Sequence, residues 1–115
     1  MCTESELNTI LNEFAKSSRQ AFGDELNEII LYGSYARGDY DEESDVDIAI
    51  LMNVPKENET EYHKALTKII GDIYEKYGYS PVLSPIVISS VFFDEWKECL
   101  PFYRNVAREG VKIVA

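Results

Sequence analysis

The sequence predicts an α/β (α+β) domain in which short strands alternate with amphipathic helices. Three observations carry that reading. Two long segments place apolar residues at three- and four-residue spacings, the mark of a helix with one buried face. Three short apolar runs are bounded by glycine, proline or polar turns, as strands are. The chain has 115 residues, the length of one domain, and residues 1–115 are read as a single unit whose core needs no staple.

The elements follow in order. Residues from about 5 to 22 form the first helix, with Leu7, Ile10, Leu11, Phe14 and Ala15 on one face and Phe22 two turns beyond Phe14. Ser5 or Thr3 is placed to cap it, and Gly23 to end it. Residues 28–32 suit a buried strand, which Gly33-Ser34 breaks. Residues 39–44 are an acidic turn, and residues 46–52 form a second strand that starts at or just before Asp45. A loop through Pro55 leads to a helix over about 60–77, with Tyr62, Leu66, Ile69, Ile70, Ile73 and Tyr77 on its apolar face and Gly78 as its stop. Residues 82–89 are a third strand, in which Pro85 demands an edge position or a bulge. Residues 92–100 and 102–109 are short helices divided at Pro101, Gly110 ends the second, and residues 111–115 are a short apolar tail. The order is α-β-turn-β-α-β-α, or α-β-α-β-α with the two strands around the turn counted together.

Composition narrows the partners. The formal charge is −10, and the eleven Lys and Arg residues form no cluster, so a duplex or long RNA meets a repulsive field. A small anionic substrate remains compatible if metal ions neutralise it. No apolar run is long enough to span a membrane, and the N-terminus lacks the basic and apolar regions of a signal peptide, which points to the cytoplasm. Cys2 and Cys99 have no metal-ligand spacing and read as free thiols. His63, the only histidine, reads as solvated.

Chemistry concentrates between residues 28 and 51. Glycine at position 33 allows close approach of backbone to a ligand, and a helical turn after it aims amides at a phosphate. Ser34 adds a hydroxyl and Arg37 a guanidinium. Asp45-Val46-Asp47 heads the next strand, where residues i and i+2 share a face about 6.6 Å apart. Two carboxylates at that separation can hold a divalent cation, while Val46 points into the core. Each element alone is commonplace. Their placement on consecutive strands makes them face one another.

The run Gly33-Ser34-Tyr35-Ala36-Arg37-Gly38, followed by Ser44-Asp45-Val46-Asp47-Ile48, resembles the Gly-Ser, ten residues, Asp-x-Asp pattern of the DNA polymerase beta-type nucleotidyltransferase superfamily. With this chain length the match is to its minimal nucleotidyltransferase family. The resemblance implies a nucleotidyltransferase-like fold with a small three-stranded mixed sheet. It also implies transfer of a nucleoside monophosphate, AMP from ATP, to an acceptor with Mg2+ and a two-metal site. By that resemblance Gly33, Ser34 and Arg37 bind the nucleotide, and Asp45 and Asp47 are the catalytic metal ligands. It further implies an antitoxin paired with a small all-helical HEPN-type protein, which the transferase modifies. Antibiotic-modifying relatives carry an extra helical domain that is absent from these residues.

The superfamily also uses a third carboxylate on a later strand. Residues 82–89 contain no acid, and Ser84 stands near the place where it is expected. This departure supports a second reading, a catalytically weak nucleotide-binding module that neutralises or regulates its HEPN-type partner by binding. Asp39, Asp41, Glu42 and Glu43 beside the motif read mainly as solvated.

Overall fold

A computed structural model describes residues 3–113, so Cys2 and the last two residues of the apolar tail lie outside it. Helix α1 spans Glu4–Phe22. Thr3, not Ser5, caps it: Thr3 Oγ accepts from the Glu6 amide at 3.1 Å, and the Glu6 carboxylate accepts from the Thr3 amide at 3.2 Å. Gly23 then turns the chain at φ 55° into a 3₁₀ turn, Gly23–Glu25. Strand β1 (Leu26–Tyr32), the single helical turn α2 (Ser34–Arg37) and strand β2 (Val46–Met52) follow. A 3₁₀ segment, Lys56–Tyr62, leads to α3 (His63–Tyr77), then β3 (Leu83–Ser89), α4 (Ser90–Trp96), α5 (Pro101–Glu109) and β4 (Val111–Ile113).

Three details differ from the sequence reading. The second long helix begins at His63, because the preceding turn is tightened to hold Tyr62, whose hydroxyl donates to Glu25 at 2.8 Å and whose ring stands edge-on to Phe22. Tyr77 is not core but a helix-end residue that donates to Glu13 at 2.9 Å. The tail supplies a fourth strand, pairing antiparallel with β1 through Leu31↔Val111, Ile30↔Lys112 and Ile29↔Ile113. Three residues carry no readable alternation, and the open edge of β1 decides their fate.

The sheet is mixed, in the order β3-β2-β1-β4. Strands β1 and β2 are antiparallel, while β2 and β3 are parallel. Pro85 therefore sits on an edge strand, one of the two places open to a residue without an N–H. The outward-turned amides at the two ends of that edge have partners: Leu83 donates to the Tyr74 hydroxyl and Ser89 to Glu59, each at 2.8 Å.

Strand alternation divides the core into two layers. Val46, Ile48, Ile50 and Met52 of β2, with Ile29 and Leu31 of β1, face α1 and α3. Ile30, Ala49, Leu51 and Ile88 point the other way, onto Phe93 of α4 and Val106 of α5. One polar group of α1 is stranded in this packing. Ser18 is fully buried in α1, and its hydroxyl has no hydrogen-bond partner among the described residues. Ser18→Ala is expected to leave stability unchanged or raise it by about 1 kcal/mol in chemical denaturation, because an unsatisfied buried hydroxyl is a net penalty. A loss of similar size would show that the hydroxyl is bonded.

Candidate active site

The site forms where β1 ends and β2 begins. Tyr32 is opposite Asp47, and Asp47 is opposite Ser84 on β3. Cross-strand partners point to the same face, so Tyr32, Asp47 and Ser84 make one row at the end of the sheet. It lies on the face covered farther along by α4 and α5. Asp45, exposed and one residue before the strand, continues the same alternation as Asp47. Val46 between them is fully buried on the opposite face and anchors the pair.

Gly33 is fixed by two constraints. Its φ of 76° belongs to the region that side chains avoid, and a Cβ built there would run into the Asp47 carboxylate. The glycine thus lets the backbone turn tightly against the acid. The Gly33 carbonyl accepts from the amides of Ala36 and Arg37 at 3.1 and 3.0 Å, closing the turn α2. The Ser34 amide begins that turn, where no intrahelical acceptor exists. Ser34 is half-buried beside Gly33.

The electrostatics of the row are those of a place short of positive charge. Burial, and then the negative charge of Asp45, hold the Asp47 carboxyl above the ordinary carboxylate range, with Arg37 pulling partly the other way. Tyr32 is pushed up as well, by burial and then by Asp47. Arg37 is occupied: its Nε donates to Asp39 at 3.2 Å and its Nη1 to Glu109 of α5 at 2.8 Å. Those bonds hold the guanidinium more firmly protonated, Asp39 contributing first.

Of the sequence-derived candidates, Gly33, Asp45 and Asp47 come together, with Ser34 and Arg37 in the adjoining turn. Ser84 falls in register beside Asp47, so the position expected to hold a third acid holds a hydroxyl. Asp94 and Glu95 are exposed on α4. Asp41 is spent on the turn itself, accepting from the Glu43 amide at 2.9 Å and the Ser44 hydroxyl at 3.2 Å. His63 is exposed at the start of α3, on a groove of about 530 Å³ that runs along the β3 edge by Pro85, Ile86 and Val87, away from the carboxylates. Tyr32 and Glu109 were not foreseen. Tyr32 was detectable as the last residue of a strand ending in Gly-Ser, whereas Glu109 meets Arg37 only through the fold.

Among the described residues, no third histidine, cysteine or acid joins the two aspartates to form a metal cage. The donor set nevertheless suits magnesium, which takes one or two carboxylates and completes its shell with phosphate oxygens and water.

Comparison with known proteins agrees with this geometry. The nucleotidyltransferase domain family matches residues 11–112. Two chains of Methanocaldococcus jannaschii with assigned names as protein adenylyltransferases are similar. One is 44% identical over 86 residues, 74% of this chain and 56% of that protein. The other is 43% identical over 93 residues, 78% of this chain and 91% of that protein. The protein adenylyltransferase MntA of Thermococcus cleftensis is 44% identical over 50 residues, 44% of this chain and 48% of that protein. The chain thus spans a little over half the length of the first relative and nearly all of the second. A crystal structure of a toxin-antitoxin with AMP-PNP shares the fold, with a TM-score of 0.52 and 19% identity over 89% of this chain and 70% of that one. The family's match over residues 11–112 takes in every element from the middle of α1 to β4, and the chain belongs to the nucleotidyltransferase domain family.

Proposed function

We propose that the chain, acting as one domain in the cytoplasm, moves AMP from ATP to a hydroxyl of a partner protein in a magnesium-dependent reaction. The observation that carries this reading is the contact between Gly33 and Asp47, which sets a phosphate-binding turn directly against a carboxylate pair. The names of the relatives support a protein as acceptor. The toxin-antitoxin likeness supports a role as antitoxin toward a small HEPN-type partner.

In this mechanism the Ser34 amide and hydroxyl hold the triphosphate, and Arg37 exchanges Glu109 for a phosphate oxygen. Asp45 and Asp47 hold the magnesium, which when bound neutralises the leaving pyrophosphate and makes the acceptor hydroxyl easier to deprotonate. The acceptor oxygen bonds to the α-phosphorus as the bond to pyrophosphate breaks, and the acceptor's proton passes to solvent or to a base on the partner. Ser84 supplies no carboxylate for that proton.

Labelled ATP, magnesium and the product of the neighbouring gene provide the test. Label on the partner that disappears with Asp45→Asn supports transfer. Tight partner binding without label, unchanged by that substitution, would support the second reading, neutralisation by binding, which the serine at position 84 favours. Ser84→Asp tests the same point from the other side. Placing a third acid beside Asp47 is expected to tighten magnesium binding about ten-fold and raise the transfer rate. It should also lower stability in chelator, because three carboxylates then crowd one place. Unchanged magnesium affinity in calorimetry would separate Ser84 from the metal position.

A further inference from the structure

Beside the carboxylate row the protein leaves an aromatic ring open to solvent. Tyr32 meets Phe102, at the start of α5, edge to face, with ring centroids 5.6 Å apart and planes at 81°. Phe102 touches Tyr103, which backs onto Phe92 and Phe93 at 5.7 and 5.6 Å. The cluster is thus supported from behind, yet Phe102 itself is 41% exposed. Tyr77, Tyr79 and Trp96 are exposed as well, but their contacts lie with Lys76, Tyr74 and Phe92. Phe102 is the one whose ring contact is with the row.

Its position relative to Asp47 gives the ring a use. Neighbouring strands are about 4.8 Å apart and the ring contact adds a similar step, which puts Phe102 within a reach on the order of 10 Å from Asp47. A nucleotide whose α-phosphate sits at the carboxylates carries its base over such a distance. On the Ser84 side the row ends at the sheet edge, where the next residue on that face is the aliphatic Ile86. The two sides of Asp47 therefore differ in chemistry: an aromatic shelf toward α5, and an open edge toward β3.

We infer that Phe102 is the platform on which the nucleotide's base stacks, with Tyr32 as its rigid backing, and that the acceptor enters over Ser84. The inference rests on the reading of the site as a triphosphate site. Stacking uses the face that every base has, so the platform holds purines without choosing among them.

The test is equilibrium binding, in magnesium, of ATP, GTP and inorganic tripolyphosphate to wild type, Phe102→Ala, Phe102→Leu and Phe102→Trp. The leucine variant keeps apolar packing at the position while removing the ring, and thermal unfolding checks each fold. The platform predicts about a ten-fold or greater loss for both nucleotides in the alanine and leucine variants, restoration by tryptophan, and unchanged tripolyphosphate binding. ATP affinity within two-fold of wild type in Phe102→Leu overturns it, as does an equal loss for tripolyphosphate. A variant that keeps ATP affinity but loses partner labelling would hand the surface to the acceptor, and also overturns it. A wild type that binds neither ATP nor tripolyphosphate fails earlier, and removes the triphosphate site itself.

Discussion

Asp47→Asn is expected to lower nucleotide transfer about a thousand-fold or more, equivalent to about 4 kcal/mol of lost transition-state stabilisation, while leaving the fold as stable as before or more so. The two halves of that expectation have one cause. In the row Tyr32–Asp47–Ser84 the carboxylate is partly buried beside Asp45, which raises its affinity for a proton above the ordinary value of 3.8. An acid whose folded value is raised weakens the fold when it ionises. The penalty is absent below pH 3.8, grows as pH rises through the shifted value, and stays constant above it. Asparagine removes that penalty but cannot hold a magnesium ion as a carboxylate does. At neutral pH the variant should therefore unfold at the same or a higher temperature than wild type, and the gap should close as the pH falls toward 3.8. Magnesium with ATP should stabilise wild type and not the variant. A variant that unfolds more easily at pH 7 would mean that Asp47 serves the fold instead.

Gly33→Ala should abolish transfer by a different route. The new methyl group would have to occupy the space of the Asp47 carboxylate, at a backbone angle of φ 76° that alanine resists. The strain alone is about 1–2 kcal/mol. Relief requires either that Asp47 swing away or that the turn at Ser34–Arg37 open, and both dismantle the site. A drop of at least a hundred-fold in transfer and in tripolyphosphate binding is expected, together with a lower unfolding temperature. Asp47→Gly in the same chain would make the room and should recover part of the stability but none of the activity. Thermal unfolding and labelled-ATP assays of the single and double variants check this, and retention of near-normal activity in Gly33→Ala would show that the close approach is dispensable.

Much of this arrangement is legible in the sequence because it is local. The strand over 46–52 is readable from its apolar run, and the spacing of Gly33-Ser34 and Asp45-Val46-Asp47 is enough to expect that the two lie together, as they do. Pro85 reads as an edge or bulge residue for a covalent reason, the missing N–H, and the sheet order gives the edge. What was not legible depends on distant partners. Val111–Ile113 becomes a strand only because β1 has an open side, and three residues hold no periodic signal. Arg37 reads as a phosphate ligand, yet its guanidinium rests on Glu109, 72 positions away, a pairing that no local pattern encodes. Tyr32 and Phe102 meet across 70 residues of chain for the same reason. Spacing can reveal which groups carry chemistry, but the packing of α5 decides what stands around them.

The outer side of β3 has a consequence for how this protein keeps company. Four residues turn their N–H side outward there: Leu83 and Ser89 donate within the chain, Pro85 has no N–H to donate, and among the described residues only the Val87 amide is left as a donor. At the opposite margin, β4 covers three of the described residues, Val111–Ile113. The β3 margin is thus a poor template for another strand, which discourages edge-to-edge pairing there. A visiting protein that approaches over β3 finds side chains sooner than open backbone donors. Specificity for such a visitor is then written in surface residues that can change without disturbing the sheet.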